Sequence, residues 1–535
     1  MMIKQSLWVL LVAGFSLQGY AQDPNAQKFA GQITAKNAKK HLSILASDKF
    51  EGRETGKRGA EMAAAYIVKE FTKLKLIAPV NGSYIQNVPL VETSFEVTSF
   101  MANNLALTMG KDFLFSGSGD AKSIKASEIV FIGYGIGSDN YDDLKNTDIA
   151  GKVVLLINKG EPMKNGVSAI SKSTTASDWS TSRFKRIQYV MGKNPALILA
   201  VSPDVSASLQ SYKPRAGRLS VKKESKAGAS NRASTAAMVN ITPEVANQFL
   251  KNSGKTYEEL KASIDNNGSP QTQVLKSEVA MNYGPVNKEI ISANVLGYLE
   301  GTDLKDELVV FSAHYDHIGL TTDGGIDKVN NGADDDGSGT TGVLTIARAY
   351  AKAKEAGHGP RRSILFLLVT GEEKGLLGSE YYSLNPVFPM ANTITNLNID
   401  MIGRIGEAYK DSPDAANYCY LIGSDKLSTD LHKISENANA VYTKMKIDYK
   451  FNDPKDPERI YYRSDHYNFA KNGIPIVFYF NGVHEDYHKA SDEVSKINFE
   501  LLAKRAHLVY YTGWDLVNRD KRPAVDVKND MPATR

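Results

Sequence analysis

Five short stretches in the second half of the chain carry the residue types that bind metals and move protons. They are Ser312-Ala-His314-Tyr-Asp316-His317, Gly332-Ala-Asp334-Asp335-Asp336-Gly-Ser-Gly339, Gly371-Glu372-Glu373, Asn396-Leu-Asn-Ile-Asp400 and Tyr487-His488. Imidazole nitrogen and carboxylate oxygen are the ligands zinc takes when it also keeps a position open for water, and five such groups serve two ions if one carboxylate bridges. Two neighbouring cations share one hydroxide nucleophile. They lower the pKa of that water and offset the oxyanion forming on a scissile carbonyl, an effect on the order of several kcal/mol. A carboxylate outside the ligand set must still move the proton. The Glu372-Glu373 pair suits both roles, because neighbouring side chains point in different directions.

These residues need rigid elements to hold them. Apolar runs at 308–312, 364–369, 397–399 and 474–480 read as strands, and 342–354 reads as a helix with Val343, Ile346, Ala347, Tyr350 and Ala351 on one face. Alternating strands and helices with near-continuously apolar strands predict an α/β sheet buried on both faces. In such sheets ligands bind beyond the carboxyl ends of the strands, and each candidate lies at or past such an end. Singly, each has an ordinary explanation: three aspartates before a helix can be caps, a histidine can be core, and a glutamate pair can be an exposed turn. What those explanations leave out is why His, Asp, Glu and Asp follow consecutive strands, and why two of only nine histidines do so. Spacing alone does not choose among Asp334, Asp335 and Asp336.

The rest of the chain divides by texture. Residues 37–45 and 58–76 predict helices, the second with Ala63, Tyr66, Ile67, Phe71 and Leu74 on one stripe. From 105 to 284, short β-rich runs such as 128–132 and 152–157 alternate with Gly-, Ser- and Lys-rich loops, which predicts a separate β-rich domain with exposed loops at 171–180 and 222–226. A last helix over 498–517 opens on Asn498 as a cap and leads into a polar tail, 519–535.

A chain of 535 residues with 42% hydrophobic and 23% charged residues is ordinary for two or three globular domains. Its net charge of +4 is spread without a block of like charge, so nucleic acid and membrane-surface binding have no support. Lys4, the apolar run 7–17 and the small residues Gly19 and Ala21 have the pattern of a secretory signal peptide over 1–21, cleaved after Ala21. The apolar run is shorter than the ~20 residues that span a bilayer, so no membrane span is expected in the mature chain. Cys419 is the single cysteine and cannot form an internal disulfide, so stability comes from the core in a secreted or periplasmic protein.

The motifs HYDH, NGADDDGSG, TGEEKGLLGS, NIDMIG, RSDH and YHKASDE, in this order, resemble the co-catalytic dizinc aminopeptidases of clan MH. That family includes bacterial leucyl aminopeptidases, aminopeptidase Y, glutamate carboxypeptidases and the transferrin receptor ectodomain. The resemblance implies a phosphorylase/hydrolase-like fold, a mixed, largely parallel sheet flanked by helices, with its first helices in 22–104 and its core in 285–518. The segment 105–284, with IVFIGYGIGSDNYDDLKNTDIAGKVVLLINKGEP, resembles a protease-associated domain inserted between them, either a spacer or a device that narrows access to the site.

By the same resemblance His314, a bridging Asp335 and Asp400 would hold one zinc; Asp335, Glu373 and His488 would hold the other; Glu372 would be the general base. Asp316 would orient the ring of His314. A non-proline cis peptide is implied between Asp335 and Asp336. Asp465 and His466 in RSDH would order substrate or support the site, or simply form a turn. Tyr461, Tyr462 and Tyr479 are candidates for a side-chain pocket.

The activity implied is hydrolysis of the amino-terminal bond of peptides with a free N-terminus. A carboxypeptidase or dipeptidase on the same scaffold would need a cationic pocket, for which Arg459 or Arg463 would be a beginning. A pyroglutamate-forming cyclase resembles a one-zinc version of the fold. A receptor-like binding module without catalysis is the alternative from another class, although such drift erases ligands and none is missing here.

Overall fold

The computed structural model describes residues 22–117, 119–213, 217–222, 236–321 and 325–532. The leader expected over 1–21 and most of the stretch 222–226 lie outside the described residues. The chain forms two compact units: one from the described residues up to Leu90 and from Ile290 onward, the other from Val91–Glu289.

In the first unit, strands β1 (Leu304–His314), β2 (Arg362–Val369), β3 (Thr393–Ile399), β4 (Tyr418–Ile422), β5 (Lys446–Asp448) and β6 (Ile476–Phe480) form a sheet in the order β5-β4-β6-β3-β1-β2. β1 is parallel to β2 and β3, and β3 to β6, while β4 is antiparallel to β6 and residues 295–299 run antiparallel along β2. The sheet is mixed and largely parallel, as the family resemblance implies. Alternate residues enter different cores: Val309, Phe311, Ala313, Phe366 and Leu368 on one face, Val310, Leu365, Leu367 and Val369 on the other. Burial on both faces is what a near-continuous apolar strand encodes.

Helices α1 (Ala35–Leu45), α2 (Arg58–Lys73), α3 (Gly339–Glu355) and α5 (Phe499–Asn518) supply the first core, and α4 (Leu377–Leu384) contributes Tyr382 to the second. In α2 the stripe residues Ala63, Ile67 and Phe71 are buried, with Tyr66 and Leu74 packed partly against them. The helix stops at Lys73, before 76, because Lys75 turns left-handed at φ 55°. In α5 the Asn498 side chain accepts the Leu501 N–H at 3.0 Å, the expected cap.

β4 and β5 had no counterpart among the expected strands. A five-residue buried run such as Tyr418–Ile422 lacks the alternation that separates strand from buried helix. The tail is polar yet docked: Asp526 accepts the Thr429 N–H at 2.8 Å, and Met531 is buried in the second core. Among the described residues no helix is long and apolar enough to cross a membrane.

The second unit is α/β rather than simply β-rich. Strands Val153–Ile157, Leu197–Val201 and Ala237–Ile241 are parallel, Lys122–Phe131 adds to them in parallel, and Phe113–Ser116 closes an edge in antiparallel sense. Helices Arg183–Met191, Pro243–Leu250 and Tyr257–Asn267 belong to the same unit. Its limits also fall outside 105–284: the division after Leu90 lies within the long strand Ile85–Ala102, and the one after Glu289 lies within Gln273–Leu299. The stretch 171–180 is mostly exposed, except that Trp179 is buried on the short helix Asp178–Thr181.

Candidate dimetal centre

The site assembles at the carboxyl ends of β1, β2 and β3. β1 ends on His314 itself, Glu372 and Glu373 follow β2, and Asp400 follows β3. Asp335 sits on the irregular turn Ala333–Ser338 that leads into α3, and His488 comes from the loop after β6 with φ 57°. The turn depends on Gly332, at φ 55°: a Cβ there would lie 2.3 Å from the Asp335 carbonyl oxygen and 2.5 Å from the His317 ring. The Asp335-Asp336 peptide is cis.

Within the aspartate triplet, backbone partners separate the roles. Asp334 Oδ1 accepts the Gly403 N–H at 2.6 Å and the Ser338 hydroxyl at 2.9 Å. Asp336 Oδ1 accepts the N–H groups of Gly339 and Met401 at 2.8 and 3.0 Å. Asp335 alone turns toward the other donors. Its Oδ1 lies 3.4 Å from His314 Nε2 and its Oδ2 lies 3.1 Å from His488 Nε2.

Around Oδ1, His314 Nε2 is 3.6 Å from Asp400 Oδ2 and 3.8 Å from Glu372 Oε2. Around Oδ2, His488 Nε2 is 3.1 Å from Glu373 Oε2. The adjacent glutamates therefore diverge, Glu372 toward His314 and Glu373 toward His488. Ligands placed tetrahedrally at zinc's usual 2.0–2.1 Å are roughly 3.3 Å apart, so both clusters have the spacing the ion requires. Asp335 Oδ2 is also buried without a hydrogen-bond donor, a state that a cation would relieve. The residues present fit two zinc ions.

Electrostatics points the same way. Burial pushes the Glu372 carboxyl well above the usual range; His314 opposes this, while Glu373 and Asp400 add to it. Burial acts in the same direction on Asp335, but the nearby imidazoles of His314 and His488 outweigh it and hold Asp335 well below the ordinary value. For His488 burial disfavours the charged form, yet contacts with Asp335 and Glu373 overcome it and raise the imidazole to about 10.

A supporting shell fixes these donors. His314 Nδ1 lies 3.1 Å from the Asp316 backbone carbonyl and 3.8 Å from its carboxylate, so the carbonyl is the nearer partner for the ring. The Asp316 carboxylate instead accepts the Thr55 hydroxyl at 2.6 Å and the Glu372 N–H at 3.3 Å. Arg53, fully buried, donates to the carbonyls of Tyr315, Leu45, Asn331 and Gly332, tying the His314 and Asp335 segments together. Asp492 accepts the N–H groups of Asp334 and Asp335, and His484 Nε2 lies 3.2 Å from Asp334 Oδ2.

Sequence reasoning missed Arg53, Thr55, His317, His484 and Asp492. His317 and Asp492 stood inside the motifs HYDH and YHKASDE, which was the available signal; for Arg53 and Thr55 only proximity in the fold reveals the connection.

The remaining candidates divide. Asp465 Oδ1 accepts the Ser379 hydroxyl at 2.5 Å, and burial pushes its carboxyl up to about 7, with Asp316 and Asp400 adding to the rise. His466 faces away, with Nε2 on the Tyr461 carbonyl at 2.7 Å and its ring stacked on Phe478. Tyr461 and Tyr479 are core residues, whereas the cavity beside Asp335, Glu372 and Asp400 is walled by Met401, Ile460, Phe478, Phe480, Val483 and Tyr487, with Arg463 at its edge.

Residues 294–513 match the model of peptidase family M28. This segment belongs to that family. Aminopeptidase YwaD of Bacillus subtilis is 24% identical over 258 residues, 45% of this chain and 48% of its own length. Leucine aminopeptidase 2 of Trichophyton rubrum is 27% identical over 248 residues, 42% of this chain and 44% of its own. The chain spans about half the length of these curated relatives. Among solved structures, BSAP, a zinc aminopeptidase from Bacillus subtilis, aligns over 94% of this chain and 99% of its own at 18% identity and a TM-score of 0.48. The M28 segment contains every candidate ligand and the candidate base.

Proposed function

We propose that the M28 unit is an exported metallo-aminopeptidase that removes amino-terminal residues from peptides, using two zinc ions bridged by Asp335. The observation that carries this reading is the opposed pair of Asp335 oxygens, one 3.4 Å from His314 and the other 3.1 Å from His488. His314 and Asp400 complete one ligand set, and Glu373 and His488 the other. When bound, the two ions would lower the pKa of a shared water and offset charge on the scissile carbonyl.

Glu372 lines the cavity beside His314 and Asp400, and in this reading it acts as the base rather than as a ligand. Its role is to accept a proton from the attacking water and return it to the leaving amine. Burial favours the protonated carboxyl that the second transfer requires. Asp316 accepts the Glu372 N–H and so fixes the start of the Glu372-Glu373 turn. The apolar residues among the cavity lining suit contact with the side chain of the released residue.

The choice of the amino end is supported by the relatives, which carry aminopeptidase names. A carboxypeptidase is favoured by one observation, the guanidinium of Arg463 at the cavity edge, which donates to the Tyr487 hydroxyl at 3.1 Å. Dipeptides blocked at one end separate the two. Cleavage of carboxyl-blocked but not amino-blocked peptides is expected, and the reverse would overturn the assignment. Export, with cleavage after Ala21, is tested by sequencing the amino terminus of the mature protein.

A further inference from the structure

His317 has no assigned role among the two ligand sets, yet it is buried completely at their edge. Its Nδ1 lies 2.8 Å from Glu373 Oε1, a hydrogen-bond distance, and 3.8 Å from Asp335 Oδ2. The other Glu373 oxygen, Oε2, faces His488 Nε2 at 3.1 Å. The two oxygens of Glu373 are thus divided between two histidines. We infer that His317 is a positioning residue for the second zinc site: it donates Nδ1–H to Glu373 Oε1 and leaves Oε2 as the single oxygen available to the metal. This inference rests on the two-ion reading above.

Three observations favour a positioning residue over a further ligand. An ionised carboxylate can only accept, so the short contact places the hydrogen on His317 Nδ1, and a protonated ring nitrogen has no lone pair for a metal. His317 Nε2 is buried with no hydrogen-bond partner, and a bare lone pair there is the cheaper state than a buried N–H without an acceptor. The ring has little freedom to turn: its backbone N–H donates to the Arg53 carbonyl at 3.1 Å, and Gly332 packs so closely that even a Cβ would lie 2.5 Å from Cδ2. His488, by contrast, is partly exposed, and its Nε2 faces both carboxylates. One histidine is built to hold a ligand still, and the other to bind.

The test is zinc affinity in the full chain, read by competition with a chromophoric chelator. A His314→Ala background leaves the Asp335, Glu373 and His488 site, and a His488→Ala background leaves the Asp335, His314 and Asp400 site. Adding His317→Ala should weaken zinc about 10- to 100-fold in the first background and leave the second unchanged. His317→Asn, whose Nδ2–H can take the place of Nδ1–H, should restore most of the loss with the cobalt absorption spectrum unaltered.

Unchanged affinity in the first background would overturn the inference, as would equal weakening in both. A His317→Asn variant as weak as His317→Ala, with a cobalt spectrum reporting a lost nitrogen, would make His317 a ligand instead. Should His317→Ala fail to fold, the His317→Asn comparison decides alone. Two zinc ions on the unmodified chain test the two-ion reading separately, and peptide cleavage tests the activity.

Discussion

Asp492 accepts the backbone N–H of Asp335 at 3.1 Å through Oδ2, and the same oxygen accepts that of Asp334 at 3.0 Å. The loop that supplies His488 therefore also pins the backbone of the bridging aspartate. Replacing Asp492 by alanine leaves two buried N–H groups without an acceptor, each costing about 1–3 kcal/mol. The expected result is a lower denaturation midpoint and fewer than two zinc ions retained after dialysis. An unchanged zinc count at lowered stability would restrict Asp492 to folding.

Glu372→Gln keeps the shape of the side chain but removes its capacity to take a proton. Turnover of an aminoacyl arylamide should fall by about 10²- to 10⁴-fold, the usual contribution of a general base, with both zinc ions still bound. Retained turnover with full metal content would assign the base elsewhere.

Zinc affinity should rise with pH. In the metal-free protein His488 is held at about 10, against 6.5 for an unperturbed imidazole, so below about pH 10 zinc must displace its proton. Each proton released gives about a tenfold gain in affinity per pH unit. The sign for the metal-free protein is the opposite one: the contribution of His488⁺ to stability is complete below about 6.5 and is lost as pH rises through about 10. Isothermal titration in buffers of different ionisation enthalpy measures the proton count, and zero release at pH 7 would contradict this assignment.

Removing the metal should destabilise the fold. Asp335, Glu372, Glu373 and Asp400 converge in a buried site, and ions that bind only the native state add about 4 kcal/mol per site at a thousandfold excess over Kd. A chelator should lower Tm, and zinc should restore it. A Tm independent of chelator would argue against occupied sites.

Thr55→Val removes the hydroxyl that the Asp316 carboxylate accepts at 2.6 Å while keeping the side-chain volume. The expected loss is about 1–3 kcal/mol of stability, from a buried carboxylate missing one partner. With Asp316 less firmly held, the Glu372 N–H contact loosens, so kcat should fall more than KM rises. Equal kinetics in both proteins would confine Thr55 to the fold.

The sequence by itself determined the sheet strands that carry the site and the residue types at their ends. β1, β2 and β6 contain apolar runs because both faces of the sheet are buried, and that burial is written locally, residue by residue, whereas β3 mixes Ile394, Leu397 and Ile399 with buried Thr and Asn. His314, Glu372, Glu373 and Asp400 were legible for the same reason, since a polar residue directly after such a run stands at a strand end. The cap of α5 was legible because an N-cap interaction spans only three residues.

Spacing left open which aspartate of 334–336 faces the histidines and which glutamate meets which histidine; resemblance implied an answer, but only the tertiary structure gives its physical reason, and it alone shows that Arg53, Thr55, His317 and Asp492 hold them. The three aspartates are chemically identical and adjacent. What distinguishes them are donors brought from far along the chain: the N–H of Gly403 for Asp334, the N–H of Met401 for Asp336, and the two imidazoles for Asp335. Local pattern encodes burial, whereas the direction of a side chain on a turn is set by partners that only the folded chain brings within hydrogen-bond distance.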